Sequence, residues 1–426
     1  MNTNRRFHPA PPRGAPGDGG REVLHVQTVS PRSSTGALTD RALKEPSAGE
    51  DGVSVSIIMP CLNEEQAVGA CVRKARQGLA QSGLTGEVIV VDNGSTDRSA
   101  DVAAAAGARV VHEPNRGYGN AHLRGFAEAR GRYIVMGDSD DTYDFSDIEP
   151  LLKPLAQGYD LVVANRFQGG IHADAMPWAH RHIGTPLINL LLKLFTGARV
   201  GDSQSGLRAF TREAYERMQL RSGGMELASE MLLKAARRGL KVAEVPMPYR
   251  PRLGESKLRT FRDGWRHLRF LLLFTPNFLF VVPGLLLFLC GLFTIGLSFA
   301  FPSGVNVGAF NWQPIFAGPI FLVVGSNALA LGLVSRIYAS AKGIIPGDGS
   351  WARFYREHLN LEAILLVAGL LMLAGLGLDL YLFLRWVLGA GDMEIGLPLA
   401  ALAQSLLIIG ADAGLAGFLA SMMDIE

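Results

Sequence analysis

The residues best suited to chemistry lie in one acidic segment, Gly137-Asp-Ser-Asp-Asp-Thr-Tyr-Asp, which directly follows an apolar run. Asp138 and Asp140 are two residues apart, and carboxylates so placed at the end of a strand suit a hard divalent cation such as Mg²⁺ or Mn²⁺. A partly open coordination shell would let phosphate oxygens complete it. A calcium-binding EF-hand loop is excluded because Tyr143 occupies the sixth position, where that loop needs glycine. An ordinary acidic surface turn remains the alternative.

Polar residues also follow two other predicted strands, over 53–60 and 87–91. Strands and helices alternate about every fifteen residues, which predicts an α/β, Rossmann-like domain with a mostly parallel sheet. The carboxyl ends of parallel strands meet at one edge, so we expect Asn63, Glu64, Asp92 and Asn93 to share a pocket with the acidic segment. Each also has a structural explanation: Asn63 as a helix cap, with Glu64 in the first turn, and Asn93 as part of a turn.

Three segments at these strand ends resemble the nucleotide-sugar motifs of inverting GT-A glycosyltransferases. They are Pro60-Cys-Leu-Asn-Glu-Glu, Val91-Asp-Asn-Gly-Ser-Thr-Asp and Asp138-Ser-Asp. Three later segments are similar to those of dolichyl- or polyprenyl-phosphate sugar transferases of the dolichol-phosphate mannosyltransferase type. They are Ala164-Asn-Arg-Phe, Asp202-Ser-Gln-Ser-Gly-Leu-Arg-Ala-Phe and Gly254-Glu-Ser-Lys-Leu. The resemblance covers residues 53–270 and implies a GT-A fold.

The resemblance, with the strand-end argument for Asn63 and Asn93, gives each matching residue a role. The residues expected to line the nucleotide sugar are Pro60, Leu62, Asn63, Glu64, Val90, Asp92, Asn93, Asp138 and Ser139. The residues expected to act in catalysis are Asp138, Asp140, Arg166, Arg252 and Lys257. The residues expected to bind the acceptor or its phosphate are Ser205, Arg208, Arg250 and Ser256. The residues expected to bind Mg²⁺ or Mn²⁺ are Asp138, Asp140 and Asp141, and Thr142 stands where the family often has glutamine, which leaves the rest of the metal shell open.

This residue set fits the transfer of a sugar to a phosphate. Two phosphate-bearing substrates must approach each other, so arginine and lysine are needed beside the metal. A phosphate acceptor is already an anion near neutral pH, so no general base is strictly required. Glu226 and Glu230 lie on a predicted helix, where a role near the acceptor and a purely structural role stay open.

The distribution of charge divides the chain into a soluble part and a membrane part. Lys and Arg number 41 against 39 Asp and Glu, a net charge of +2 that gives no support for a nucleic-acid partner. No charged residue or histidine occurs over 271–335, which excludes a purely soluble protein. Spans of about 272–299, 315–337, 361–387 and 396–422 are each long enough to cross a bilayer. We therefore expect a disordered tail over 1–50, a GT-A domain over 51–250, a basic interfacial segment over 251–270 and an all-α four-helix membrane domain over 271–426.

Basic residues set the expected orientation in the membrane. Arginines and lysines precede the first span and follow the second, whereas the loop over 301–314 has no charge. By the positive-inside rule, the catalytic domain and both termini should be cytosolic, in a multi-pass protein of the inner (cytoplasmic) membrane. A second interfacial segment is expected at 351–359. Asp379 and Asp412 fall within spans, where an acid is costly, and small residues of the fourth span, such as Gly410 and Gly417, would allow close packing within one chain or in a homo-oligomer.

The sequence therefore predicts a membrane-bound inverting enzyme that moves a hexose from a nucleotide-diphosphate sugar, of the GDP-mannose or UDP-glucose type, to a polyprenyl phosphate. Such a product would serve cell-envelope or protein glycosylation. A processive polysaccharide synthase is one alternative, but its Gln-x-x-Arg-Trp and Thr-Glu-Asp motifs do not occur. A degenerate transferase acting as a membrane scaffold is the other. Zinc binding by His172, His180 and His182 lacks a supporting cysteine or acid.

Overall fold

Apolar runs in the first half of the chain form the strands of a single sheet, as expected for strands buried on both faces. The computed structural model describes residues 26–29, 52–197, 199–254, 260–273, 275, 277–308, 310–341, 360–389 and 393–424. The eight strands of the sheet are β1 Val26–Thr28, β2 Val55–Cys61, β3 Gly86–Asp92, β4 Arg109–His112, β5 Tyr133–Met136, β6 Leu161–Asn165, β7 Arg208–Thr211 and β8 Val242–Pro246. Their spatial order is β1-β8-β6-β7-β5-β2-β3-β4. Seven strands are parallel to one another and β7 alone is antiparallel to its neighbours β5 and β6, so the prediction of a mostly parallel α/β domain is confirmed.

Helices cover both faces of this sheet. They are α1 Val68–Ser82, α2 Ser99–Ala105, α3 Tyr118–Glu128, α4 Glu149–Ala156, α5 Arg166–Gly169, α6 Thr185–Thr196, α7 Arg212–Met218, α8 Leu227–Arg237 and α9 Thr260–Leu273, with a π-helix at His180–Gly184. One core lies between the sheet and α1 and α4, and the other lies between the sheet and α3, α6, α7 and α8. The carboxyl ends of the parallel strands lie at one edge of the sheet.

Strand β1 corrects one expectation. The sequence analysis predicted disorder throughout 1–50, but Val26–Thr28 pair in parallel with Val242–Glu244 of β8. Three residues are too few to give a periodic apolar signal, and the edge of β8 supplies the backbone partners that make a strand there. The remainder of that segment, apart from Val29, lies outside the described residues.

Four long apolar helices make up the second half of the described chain, as predicted. They are α10 Val282–Ala300, preceded by a π-helix at Asn277–Val281, α11 Pro314–Ala341, α12 Leu361–Val387 and α13 Met393–Asp424. All four are long and apolar enough to cross a membrane, so the chain is a membrane protein. The uncharged loop after α10 forms a hairpin of β9 Val305–Val307 and β10 Phe310–Trp312. The second expected interfacial segment, over 351–359, lies outside the described residues.

The two halves are joined through α9. The first span was expected from residue 272, but Leu271 is completely buried in the core of the soluble domain, and the apolar span begins at Asn277. Phe278 at the start of that span lies against Phe195 of α6, with ring centroids 4.9 Å apart. The end of α9 is therefore fixed to the soluble domain before the chain enters the membrane part.

Candidate active site

The loop after β5 brings two carboxylates to the edge of the sheet where the parallel strands end. The Gly137 amide donates to the Ile58 carbonyl over 3.1 Å, and the Ser139 hydroxyl donates to the Pro60 carbonyl over 2.6 Å. Ser139 is 3% exposed, so its hydrogen bond to β2 is shielded from solvent. Asp138 and Asp140, on either side of it, consequently lie at the end of β2, as the sequence predicted.

Asp138 is held by two residues that the sequence analysis did not assign to the site. The Tyr118 hydroxyl donates to its Oδ1 over 3.1 Å. Gly206 passes so close that a β-carbon added there would lie 2.5 Å from Oδ2. Burial and the neighbouring Asp140 charge raise the pKa of Asp138 well above its usual range, which marks a place where a cation would be favoured. The glycines on both sides of Tyr118 were the only sequence signal for that turn.

Asp140 contacts the segment that follows β8. We call this segment, residues 249–254, the strap. The Arg250 amide donates to the Thr142 carbonyl over 3.0 Å, and the Leu253 amide donates to the Asp140 carbonyl over 2.9 Å. The Arg252 guanidinium pairs with Glu64 over 2.9 Å and lies 3.7 Å from Oδ2 of Asp140. The predicted site residues Glu64, Asp140 and Arg252 thus lie together, although they are far apart in sequence.

The acidic segment presents two carboxylates, rather than three, to a metal. Asp141, in a left-handed conformation with φ of 66°, is paired with Lys74 of α1 over 2.5 Å. Lys74 compensates the charge of Asp141 in this structure, so Asp141 is not available here as a third carboxylate beside Asp138 and Asp140. Within the described residues no group of three His, Cys, Asp or Glu side chains could hold a metal ion. Asp138 and Asp140 do fit Mg²⁺ or Mn²⁺ that arrives with a diphosphate, since Mg²⁺ is usually bound by one or two carboxylates, substrate phosphates and water.

Four residues expected to line the nucleotide have other contacts. Asn63 does not cap a helix: its Oδ1 accepts from the Thr96 amide over 2.7 Å, and α1 begins only at Val68. Asn93 is 5% exposed, and its side chain binds three backbone groups of the loop 113–117. Val90 is fully buried in the core beneath α1, so it does not line a pocket. Asp92 accepts from the Ser95 amide over 3.1 Å and lies 3.2 Å from Nδ1 of His112.

The remaining nucleotide residues are at the expected edge. Pro60 and Leu62 lie at and just beyond the end of β2, with Leu62 partly exposed, and Glu64 follows them. Glu64 is also hydrogen-bonded through its backbone amide to the Ser99 hydroxyl over 2.8 Å. The carboxyl ends of β2 and β3 therefore lie next to the loop that carries Asp138 and Asp140.

Two residues assigned to binding the acceptor or its phosphate are buried instead. Arg208 is fully buried and donates to the carbonyls of Ser203, Ser205 and Ala228, so it cannot contact a phosphate. Ser205 is also fully buried, with its hydroxyl 3.3 Å from that of Tyr143. The structure contradicts both expectations, because internal hydrogen bonds already occupy these two buried side chains.

Arg166, expected in catalysis, is also placed for a structural role. It is 7% exposed and forms two side-chain bonds to Asp202, of 2.7 and 2.8 Å. Its guanidinium carbon lies 5.0 Å from the centre of the Tyr249 ring. Arg166 thus joins the end of β6, the loop before β7 and the strap, and so positions the edge of the site.

The other expected site residues have mixed outcomes. Arg250 is 41% exposed in its side chain and pairs with Asp144 over 2.9 Å. Ser256 and Lys257 lie outside the described residues. His180 and His182 are on the π-helix and His172 is in the loop before it, and no metal cluster was found there among the described residues.

The two glutamates left open by the sequence differ sharply. Glu230 is 1% exposed, accepts from the backbone amides of Arg221 and Ser222 and pairs with Lys234 over 2.7 Å, so its role is structural. Glu226 has a buried Oε2 with no hydrogen-bond partner. Glu226 directly precedes α8. In the loop before it, the Gly223 carbonyl accepts a hydrogen bond of 3.0 Å from the Asn120 amide, in the turn that carries Tyr118.

The chain is similar in sequence to known glycosyltransferases. Residues 56–219 match the model of glycosyl transferase family 2, and residues 333–424 match the C-terminal transmembrane region of family 2 glycosyltransferases. The low-salt glycan biosynthesis hexosyltransferase Agl6 of Haloferax volcanii is 37% identical over 337 residues, which are 78% of this chain and 80% of that protein. The dolichyl-phosphate hexose transferase of the same organism is 35% identical over 213 residues, 49% of this chain and 89% of that protein.

Among solved structures, glucosyl-3-phosphoglycerate synthase from Mycobacterium tuberculosis, in complex with phosphoglyceric acid, is 26% identical. The superposition has a TM-score of 0.46 and covers 58% of this chain and 86% of that chain. The first family model covers the chain from β2 to α7, and the second covers the end of α11 and all of α12 and α13. The chain therefore belongs to glycosyltransferase family 2 and is a membrane glycosyltransferase.

Proposed function

We propose that the protein transfers a hexose from a nucleotide-diphosphate sugar to a polyprenyl phosphate at the cytosolic face of the inner membrane. The observation that supports this proposal is the short connection from the acids, through the strap, to the helix that leads into the first span. Leu253 of the strap is bonded to Asp140, and α9 begins at Thr260. Seven residues reach at most about 25 Å, so the acids lie within that distance of a helix that leads into the first span.

The donor would bind along the carboxyl ends of β2 and β3, with its diphosphate at Asp138 and Asp140. When bound there, Mg²⁺ or Mn²⁺ supplies positive charge that stabilises the departing diphosphate. Ser139 and Tyr118 hold the acidic loop and Asp138 in place through the hydrogen bonds described above. Because these contacts are already formed, the site needs little reorganisation when charge develops on the leaving group.

The acceptor would approach from the strap. Arg250 and Arg252 lie there, and an arginine fork can orient phosphate oxygens. The phosphate attacks the sugar carbon directly while the bond to the diphosphate breaks, which inverts the configuration and requires no general base. Ser256 and Lys257, which follow in sequence, remain predicted phosphate-binding residues.

Exposed residues on two helices, α9 and α6, support a position at the membrane surface. Exposed Trp265, Arg266 and Arg269 on α9 have the composition of an interfacial helix. On α6, Leu187, Leu190 and Leu194 are 47%, 51% and 53% exposed and lie on one face. The expected cytosolic orientation follows from the basic residues on this side of the spans.

The name of one relative favours a lipid-phosphate acceptor, since it is a dolichyl-phosphate hexose transferase. The processive-synthase alternative lacks its two motifs, as described above. The scaffold alternative is set aside because the chain is a glycosyltransferase that retains Asp138 and Asp140 at the strand end.

Transfer of labelled sugar to polyprenyl phosphate by the purified full-length protein tests the proposal. A panel of nucleotide sugars, with and without chelator, identifies the donor, and the product is separated as a lipid-soluble monosaccharide conjugate. We expect Asp140→Asn to lose at least a hundredfold in rate, whereas Asp101→Asn, on the exposed face of α2, keeps wild-type activity. Full activity of Asp140→Asn, or activity unaffected by chelator, would refute the metal assignment. A polymeric product would refute the reaction type.

A further inference from the structure

A hydrogen-bonded polar pair lies within the apolar spans. The Gln404 side-chain amide on α13 donates to Oδ2 of Asp379 on α12 over 2.9 Å. Asp379 is eight residues from the end of α12 at Val387, and Gln404 is eight residues from the start of the span at Gly396. At 1.5 Å per residue both lie about 12 Å inside the helix ends, within a hydrocarbon core of about 30 Å.

This pair faces outward from the four helices. The hydrogen bond is exposed, and it is surrounded by exposed apolar residues one helical turn away on the same faces. They are Leu376, Phe383 and Ile408, which are 53%, 57% and 46% exposed. We call Asp379, Gln404 and these three apolar residues the polar patch. Only 11% of the α12 span is buried within the chain.

Lipid cannot satisfy the polar atoms that remain in the patch. Across the part of the chain that the structure describes, Asp379 and Gln404 have no hydrogen-bond partner except each other. Oδ1 of Asp379, Oε1 of Gln404 and the second amide hydrogen of Gln404 are therefore left over. Polar groups without partners in hydrocarbon are costly, and acidic residues in membrane helices almost always face protein or a water-filled cavity.

We infer that the polar patch is the contact surface for a second copy of this chain. A two-fold axis through the patch would set the spare amide hydrogen of each Gln404 against the spare Oδ1 of Asp379 in the other copy. The set of donors and acceptors is thus complementary to itself, which an isologous interface requires. The small residues of α13 do not compete for this role, because Gly410 and Gly417 pack against Ala368, Met372 and Ile364 of α12 in the same chain.

Counting copies in membranes tests the inference. Full-length protein, labelled with one fluorophore per chain, is reconstituted in phosphatidylethanolamine–phosphatidylglycerol vesicles, and bleaching steps are counted at several protein-to-lipid ratios. We expect dimers for the wild type and for Asp379→Asn, whose Oδ1 still accepts from the other copy while its Nδ2 donates to Oε1 of a flipped Gln404 amide. Asp379→Leu should weaken dimerisation roughly tenfold, because two interhelical hydrogen bonds of average strength in a membrane are lost. Monomers at every ratio would overturn the inference.

Cysteine cross-linking locates the surface. In a Cys290→Ser background the other cysteines, Cys61 and Cys71, are buried, so only an introduced cysteine reacts. Ile408→Cys lies on the patch and should form an intermolecular disulfide. Leu370 is 58% exposed and lies on the face of α12 opposite to Asp379, so Leu370→Cys should not form one. Equal cross-linking at both positions, or a monomer that holds a different membrane protein through Ile408→Cys, would contradict a second copy at the patch.

Discussion

Replacing Asp202 by asparagine should destabilise the soluble domain far more than the loss of an exposed salt bridge does. The Asp202 side chain is completely buried and accepts three bonds from Arg166, namely from the backbone amide at 3.0 Å and from the guanidinium at 2.7 and 2.8 Å. The guanidinium is 8% exposed. Asp202→Asn keeps the shape of the side chain but leaves a buried cation without its counter-charge.

The magnitude follows from the burial of both partners. Removing one partner of a buried ion pair costs about 3–5 kcal/mol. For a domain of about 200 residues, 1 kcal/mol lowers the melting temperature by about 2–4 °C. Asp202→Asn should therefore lower the melting temperature of the soluble domain by about 6–20 °C.

Thermal unfolding of the detergent-solubilised protein, followed by intrinsic fluorescence, measures this shift. The matched control is Glu149→Gln, which breaks the pair of Glu149 with Lys153, at 2.9 Å but with side chains 50% and 35% exposed. Such a pair contributes roughly 0.3–0.5 kcal/mol, so the control should shift by less than about 2 °C. If Asp202→Asn melted within 2 °C of the wild type, the buried pair would not be what holds Arg166 in place.

Three further outcomes are expected at the site. Gly206→Ala should lower the transfer rate at least tenfold at nearly unchanged melting temperature, because the added methyl would displace the Asp138 carboxylate, 2.5 Å from the ideal β-carbon. Tyr118→Phe should lower kcat/KM by about two- to tenfold, the equivalent of one hydrogen bond of about 0.5–1.5 kcal/mol to Asp138. Glu226→Gln should leave the free energy of unfolding unchanged or slightly raised, since Oε2 is buried without a partner, whereas Glu230→Gln should lower it by about 1–3 kcal/mol in denaturant titrations.

The fold was predictable where it depends on local pattern. Short apolar runs that alternate with segments of helical spacing indicated the parallel sheet. Long runs of apolar residues indicated the four spans. The strand-end rule also predicted that Glu64 and Asp140 would meet, because carboxyl ends of parallel strands share one edge whatever the loops do. The direction of β7 was not predictable in this way, since a strand of four residues carries no signal for the orientation of its partners.

Side-chain roles were less predictable because charge alone does not reveal burial. Arg208 was assigned to phosphate because arginine usually binds anions, but its three acceptors are backbone carbonyls that only the folded chain brings together. Asp141 follows Asp140 directly, yet its left-handed backbone turns it toward Lys74. Tyr118 had no sequence property that linked it to Asp138, twenty residues later.

Arg252 allows a final prediction about the proposed metal site. Its guanidinium lies 3.7 Å from Asp140 and 2.9 Å from Glu64, so it offers Asp140 a positive charge at the place where a divalent cation would bind. A partly exposed ion pair of this kind contributes about 0.5–1 kcal/mol, which Mn²⁺ binding at Asp140 must overcome. Without that pair, Arg252→Gln should bind Mn²⁺ roughly two- to fivefold more tightly in the absence of donor. The same variant should transfer sugar more slowly, because the acceptor phosphate loses an arginine.

Titration of Mn²⁺ by electron paramagnetic resonance separates the two effects, since it requires no turnover. Arg250→Gln is the matched control: Arg250 belongs to the same strap but pairs with Asp144, 2.9 Å away. Its Mn²⁺ affinity should therefore stay at the wild-type value. Weaker binding in Arg252→Gln, or equal tightening in both variants, would show that Arg252 does not compete for Asp140. Tighter binding confined to Arg252→Gln would mean that the strap must release Asp140 before a metal-bound diphosphate can enter, so the same arginine becomes available to the acceptor only after the donor has bound.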